Sequence, residues 1–191
     1  MTKIAIVGTG FVADYYMTTL ANHPQLELAG VWDRDAGRLE TFAAFHGARR
    51  YDSLQDVLGD AETQIVVNLT PPASHFEVSK AALDAGKHVY CEKPLAMSFD
   101  EARTLTDLAD KKSLTLCAAP ANALSDAFDE FAARLASGAI GRPRLVYAEM
   151  EDGPVFRTAW QDWRSRSGAP WPGLHEFQVS CTVEHAGYAL S

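Results

Sequence analysis

A chain of 191 residues is long enough for one well-buried core and, at most, two domains. Its 17 Lys and Arg stand against 25 Asp and Glu, a formal charge of −8 with no basic run, so neither nucleic acid nor an anionic membrane is expected as a partner. Hydrophobic residues at 47% and charged residues at 22% exclude a disordered or fibrous chain.

No apolar run approaches the roughly 18 residues of a membrane span. The apolar stretch Ile4–Val7 is too short for a signal-peptide core and runs straight into a glycine motif. Three cysteines, Cys91, Cys117 and Cys181, are widely spaced and odd in number, which argues against a disulfide framework. The expectation is a soluble cytoplasmic protein.

Short apolar runs alternate with helix-like stretches. Lys3–Gly8 reads as a buried strand, continuous, β-branched and bounded by glycine. A helix over Phe11–Ala21 follows, stopped by Asn22, His23 and Pro24. Leu26–Trp32 reads as the next strand, Asp35–Phe45 as a helix closed by Gly47, and Ser53 as the cap of a short helix. Ile65–Thr70 is a third strand, Ala73–Ala85 a helix ended by Gly86, and His88–Cys91 a fourth strand. Ser98 and Glu101 form a capping box that opens a helix to about Asp110. Leu114–Ala118 closes the series. This alternation implies right-handed crossovers and a doubly wound parallel α/β sheet.

Beyond Pro120 the pattern changes, which places a domain boundary near residue 120. Leu124–Ala136 reads as a helix ended by Gly138, and Arg144–Met150 as a strand. A loop region with Trp160, Trp163 and Trp171 follows. Phe177–Val183 alternates apolar and polar residues, which by period alone favours a strand.

Gly8-Thr-Gly10-Phe11-Val12-Ala13 fits G-x-G-x-x-A at the first strand–helix junction. Gly8 permits the tight turn, Gly10 lets backbone approach a pyrophosphate, and Ala13 lets helix pack on strand. N–H groups at the start of the helix, around Phe11 and Val12, then face the anion. Asp33 ends the second strand at about the spacing of a ribose-binding acid. An ordinary strand–turn–helix with packing glycines is the plainer alternative, but position, order and acid agree on a dinucleotide. Asp33 would bond a 2′-hydroxyl and repel a 2′-phosphate, which favours NAD. The adjacent Arg34 leaves NADP open, or is simply solvated or stacked on adenine.

Glu92-Lys93-Pro94 follows the fourth strand at the carboxyl edge, where doubly wound folds bind ligands. Pro94 restricts Lys93 to extended geometry, making it either a general base aimed into the crevice or a solvated turn lysine beside Glu92. Thr70-Pro71-Pro72 ends the third strand at the same edge. His75 either lines the nicotinamide side with Thr70 and Pro71, or is a surface residue at a proline-initiated helix start. Cys91 and Cys117, both in expected strands, read as small core residues. His175, Cys181 and His185 would allow a metal-dependent hydrolase, but Val179 stands where H-E-x-x-H needs its second histidine, so no metal is expected.

Together KIAIVGTGFVA, Asp33, NLTPPASH and GKHVYCEKPLA resemble the Gfo/Idh/MocA oxidoreductases, a family that includes glucose–fructose oxidoreductase and inositol dehydrogenase. The resemblance covers residues 1–120 and continues through LASGAIGRPRLVYAEM, which looks like the entry to that family's second domain. It implies a Rossmann domain over 1–120 and the opening of an α+β substrate domain over 121–191. It also implies NAD or NADP at Gly8, Gly10 and Asp33, and Lys93 as the catalytic lysine acting on a sugar- or cyclitol-like alcohol. The family's Asp-x-Gly-x-His is matched by Cys181-Thr-Val-Glu-His185, which keeps only the histidine. His185 is then expected on a helix as a substrate contact, and the period reading gives way to a helix. One expected strand after residue 120 cannot make a sheet, and so small a core rarely supplies more than about 3–5 kcal/mol. The expectation is therefore a fragment, or a chain completed by another subunit. A homo-oligomer is expected of the complete form, and a non-catalytic nucleotide-binding or regulatory module is the alternative function.

Overall fold

The computed structural model describes residues 1–119, 125–147, 149 and 153–179. Five strands form one parallel sheet: β1 Thr2–Val7, β2 Leu26–Trp32, β3 Ile65–Asn68, β4 His88–Cys91 and β5 Leu116–Ala118, in the order β2-β1-β3-β4-β5. The helices are α1 Ala13–Leu20, α2 Ala36–His46, α3 Leu54–Gly59, α4 His75–Asp84, α5 Phe99–Lys112, α6 Asp126–Ala136 and α7 Gly173–Glu176.

Side chains on successive strand residues point to opposite faces, so β1 feeds two cores. Ile4 and Ile6 pack with Val31, Val67 and Leu69 under Ala13 of α1 and Leu39, Phe42 and Ala43 of α2. Ala5 and Val7 pack with Val66, Val89 and Cys91 under Val57 of α3, Val78, Ala82 and Leu83 of α4, and Leu105 and Ala109 of α5. Helices on both faces make the sheet doubly wound.

The sheet has one more partner than its strands suggest. Beyond β2, residues 49–51 run extended and form a single parallel bridge, Val31 with Arg50. Val31 N–H donates to Arg49 O at 2.9 Å and Tyr51 N–H to Val31 O at 3.0 Å. With this reduced strand counted, the spatial order becomes the 3-2-1-4-5-6 order of the Rossmann fold, and the crevice opens between β1 and β3. No apolar run marks residues 49–51, and the sequence reading placed no strand there.

Most expected elements fall within two or three residues of their place, and the caps are as anticipated. The Ser53 side chain accepts from Asp56 N–H, and that of Ser98 from Glu101 N–H. Glu101 reaches back to the N–H of Met97, one residue before the capping-box position. Two expectations need correction. Arg144–Met150 does not form a strand in its described part. Leu145, Val146 and Tyr147 are more than 80% exposed, and a β segment without a ladder partner has nothing to stabilise it. Cys117 is exposed, not a core residue, because β5 is an edge strand with little covering it; Cys91 is fully buried as expected. Residues 177–179 form a turn after α7, so no strand begins there, and the rest of the Phe177–Val183 stretch, with Cys181 and His185, lies outside the described residues.

Leu105 is fully buried between α5 and the sheet, whereas Phe99 at the start of the same helix is 72% exposed. Leu105→Ala should cost about 2–5 kcal/mol in urea unfolding. Phe99→Ala should stay within about 0.5 kcal/mol.

Candidate dinucleotide site

The strands end in one register row: Trp32, Val7, Asn68, Cys91 and Ala118 lie side by side. The ladder then runs one step further, with Gly8 N–H donating to Trp32 O, Leu69 N–H to Val7 O, Glu92 N–H to Asn68 O and Ala119 N–H to Cys91 O, all at 2.8–2.9 Å. The chain therefore delivers Asp33, Gly8, Leu69 and Glu92 to the same carboxyl edge.

Gly8 has φ +97°, and a Cβ there would lie 2.6 Å from the Leu69 backbone, so both conformation and space require glycine. A Cβ on Gly10 would meet nothing within 4 Å; its backbone faces open space. The helix that follows has no side-chain cap at Val12, whereas α2, α3, α5 and α6 are capped by Asp35, Ser53, Ser98 and Ser125. An uncapped helix start behind an open glycine fits the pyrophosphate of a dinucleotide.

Asp33 is 7% exposed. Its Oδ2 accepts from Thr9 N–H at 2.8 Å and Thr9 Oγ1 at 3.1 Å, and its Oδ1 accepts from Asp35 N–H at 2.9 Å. The carboxylate thus pins the glycine turn, and with about four acceptor positions it keeps capacity for a ribose hydroxyl. Arg34 is exposed. The cation that faces Asp33 is Arg38, with Nη1 3.7 Å from Asp33 Oδ2 and Nη2 3.6 Å from Asp35 Oδ2. Sequence reasoning missed Arg38; its place in the first turn of a helix capped by Asp35 was the available signal.

A buried amide organises the next two loops. Asn68 Nδ2 donates to His75 O and Ser79 Oγ, and Asn68 Oδ1 accepts from Thr70 N–H and Thr70 Oγ1. His75 is 1% exposed, with Nδ1 2.6 Å from Pro94 O and Nε2 2.7 Å from Thr70 O. Neither a surface residue nor a free cofactor contact, its ring is committed to joining the Thr70-Pro71-Pro72 and Glu92-Lys93-Pro94 loops. Burial pushes the His75 pKa below its ordinary value, against the opposing pull of the two carbonyls and of Glu92.

Glu92 Oε1 accepts from Tyr16 Oη at 2.7 Å, and Oε2 from Lys93 N–H at 3.0 Å. Burial and the facing carboxylate hold the Tyr16 phenol well above its usual pKa, so it remains a donor. Lys93 is half-buried and precedes a cis peptide bond to Pro94. Burial pushes the Cys91 thiol up to about 12, and a thiol so held is no nucleophile at neutral pH. Among the described residues no group of three His, Cys, Asp or Glu is placed to hold a metal ion, and no helix is long and apolar enough to cross a membrane.

On the far side of the glycine turn, Asp14 of α1 is buried. It contacts His46 Nε2 through Oδ1 at 2.6 Å, and its Oδ2 accepts from Ser167 Oγ at 2.7 Å and Ser167 N–H at 3.3 Å. Burial alone would raise its pKa, but hydrogen bonds from Ser165, Ser167 and His46 outweigh it and hold the carboxyl below its ordinary value of 3.8.

A parallel doubly wound sheet with a glycine turn at its first strand–helix junction and an acid at the end of its second strand is the architecture of a dinucleotide-binding Rossmann domain. Residues 2–119 match the Gfo/Idh/MocA oxidoreductase family with its NAD-binding Rossmann fold, and the chain belongs to that family. Glucose-6-phosphate 3-dehydrogenase of Bacillus subtilis is 34% identical over 114 residues, which cover 60% of this chain and 32% of that protein. Trans-1,2-dihydrobenzene-1,2-diol dehydrogenase of Oryctolagus cuniculus is 30% identical over 179 residues, 92% of this chain and 53% of that one. Biliverdin reductase from Synechocystis, solved with biliverdin and NADP+, superposes with a TM-score of 0.61 at 28% identity, covering 71% of this chain and 43% of its own. The chain spans about a third to a half of the length of these proteins.

A carboxylate whose folded pKa is depressed contributes stability above its unfolded value and loses it as pH falls through the folded one. Wild-type stability in urea should therefore drop more than that of Asp14→Asn between about pH 5 and about pH 2.5. An equal drop would show that the Asp14 contacts do not stabilise the folded state.

Proposed function

We propose that this chain provides the cofactor half of an enzyme oxidising a secondary alcohol of a sugar- or cyclitol-like polyol, with Lys93 as the group that accepts the hydroxyl proton. The observation that carries the reading is the convergence of the Gly8–Gly10 turn, the Thr70-Pro71 loop and the Glu92-Lys93-Pro94 loop on one edge of the sheet, with the latter two joined by His75. The sugar-acting and diol-acting relatives support the substrate class.

A bound nicotinamide dinucleotide supplies the hydride acceptor. Gly10 and the open start of α1 receive its pyrophosphate, and Asp33 its adenosine ribose. The Glu92 carboxylate, held by Tyr16 and by Lys93 N–H, fixes the backbone from which the lysine projects. The polyol and the residues that hold it, with His185 as the candidate on this chain, complete the site. Correct positioning of alcohol against cofactor accounts for much of the rate in such a reaction.

Calorimetric titration of the chain should show tighter binding of NAD than of NADP, because Asp33 repels a 2′-phosphate. Asp33→Ser should narrow that gap. Equal or tighter NADP binding by the wild type would mean that Arg38 and Arg34 outweigh Asp33.

Where turnover of a polyol is measured, Lys93→Met should lower kcat by about 10²–10⁴-fold. The dinucleotide Kd should move little. Turnover within a few-fold of wild type would remove Lys93 from the proton transfer.

A further inference from the structure

Residues outside the family-matched region also border the candidate groove. Between Arg164 and Pro170 the chain folds back on itself through an antiparallel bridge. Ser165 N–H donates to Ala169 O at 2.9 Å, Gly168 N–H to Ser165 O at 3.0 Å and Ala169 N–H to Ser165 Oγ at 3.1 Å. The loop stands on a small aromatic base: Trp160, Trp163, Trp171 and Phe177 contact one another with ring centroids 5.2–5.9 Å apart.

The loop touches the nucleotide-binding part at two places. One is the pair of Ser167 hydrogen bonds to Asp14, the residue immediately after Ala13 of the glycine motif. The other borders a half-open cleft of about 260 Å³ between residues 167–170 and the first turns of α2, where Asp35, Gly37, Arg38 and Thr41 form the facing wall. Arg38 links this cleft to Asp33, the candidate ribose acid. The cleft is too small for a whole dinucleotide, but it is of the size of a ribose with its 2′ substituent. Its lining joins one cation (Arg38), one carboxylate (Asp35), the hydroxyl residues Thr41 and Ser167, and loop backbone, which suits a hydroxyl-rich or phosphorylated group.

We propose that residues 165–170 are a strap, latched to α1 through Ser167 and Asp14, that closes over the adenosine-ribose end of a nicotinamide dinucleotide and slows its release. The proposal rests on the cofactor reading above and adds binding residues from a segment more than 150 positions away in sequence. The Ser167 hydroxyl makes the shorter of its two bonds to the buried carboxylate, 2.7 Å against 3.3 Å for its backbone N–H, and Ser165 adds a further hydrogen bond, so removing the Ser167 hydroxyl weakens the latch without abolishing it.

The test measures NADH release from the 191-residue chain by stopped-flow tryptophan-to-NADH energy transfer, with excess NAD as the competitor. Ser167→Ala should speed dissociation about tenfold, the effect of a lost hydrogen bond to a charged group. Ser167→Asp, which sets a like charge against Asp14, should speed it further, and association should change less than about twofold in both. Circular dichroism melting verifies that the variants fold. A second readout needs no variant: trypsin cleavage after the exposed Arg164 and Arg166 should slow on saturation with NADH. If the wild type binds NADH, yet release from folded variants is unchanged and tryptic cleavage is not protected, the strap is refuted while the cofactor reading stands. A wild-type chain that binds neither NADH nor NADPH overturns both.

Discussion

The structure hangs on the shared register of its strand ends. Because Trp32, Val7, Asn68 and Cys91 lie in one row, the next residue of each strand emerges at the same height, still tied to its neighbour by a backbone hydrogen bond. A slip of one residue in β3 would turn Val66 and Val67 to the wrong cores and carry Asn68 away from the loop it holds. The two cores and the site edge are thus alternative views of one pairing.

Asn68 shows how the edge is built beyond the sheet. Fully buried amides are tolerated only when their hydrogen bonds are made, and this one makes four, to Thr70 on one side and to α4 on the other. His75, set by the same helix, then spans the two loops. Polar groups inside a low-dielectric edge act cooperatively: all satisfied they lock a geometry, and any one missing leaves the rest costly. Asp33 does similar work on the glycine turn through Thr9, so the candidate ribose acid also shapes the backbone that would meet the phosphates.

Much of this was legible in the sequence. Apolar runs bounded by glycine located the strands, Ser53 and Ser98 announced their helices, and the G-x-G-x-x-A turn and the Glu92-Lys93-Pro94 edge were found from order and spacing. What escaped were features without a periodic signature. The strand at Arg50 is a single bridge with no apolar run. Arg38 reaches Asp33 only because α2 begins where it does. His75 reads as polar and exposable until the two carbonyls that enclose it are known. The error at Arg144–Met150 has a different origin: β-propensity reports fit to a pleated surface, and that surface needs a neighbouring strand. The exposure of Cys117 follows from β5 lying at the rim of the sheet, a fact of topology that local sequence does not carry.

The bond between Ser167 and Asp14 has a consequence in time as well as in space. A polypeptide is made from its N-terminus, and domains fold as they emerge. The sheet closes through neighbours a few tens of residues apart, whereas the serine is synthesised 153 positions after the carboxylate it serves. Until then Asp14 has only His46 and solvent, and the nascent sheet stands complete with one wall of its groove unbuilt. Closing so long a loop adds only a slowly growing entropic cost, about 0.6 kcal/mol per doubling of length, so the late arrival is readily accommodated. Elements that join last through a few polar contacts are also the first to part in native-state fluctuations. In this order of synthesis the sheet and its glycine turn form before the segment that the Ser167 bonds tie to Asp14.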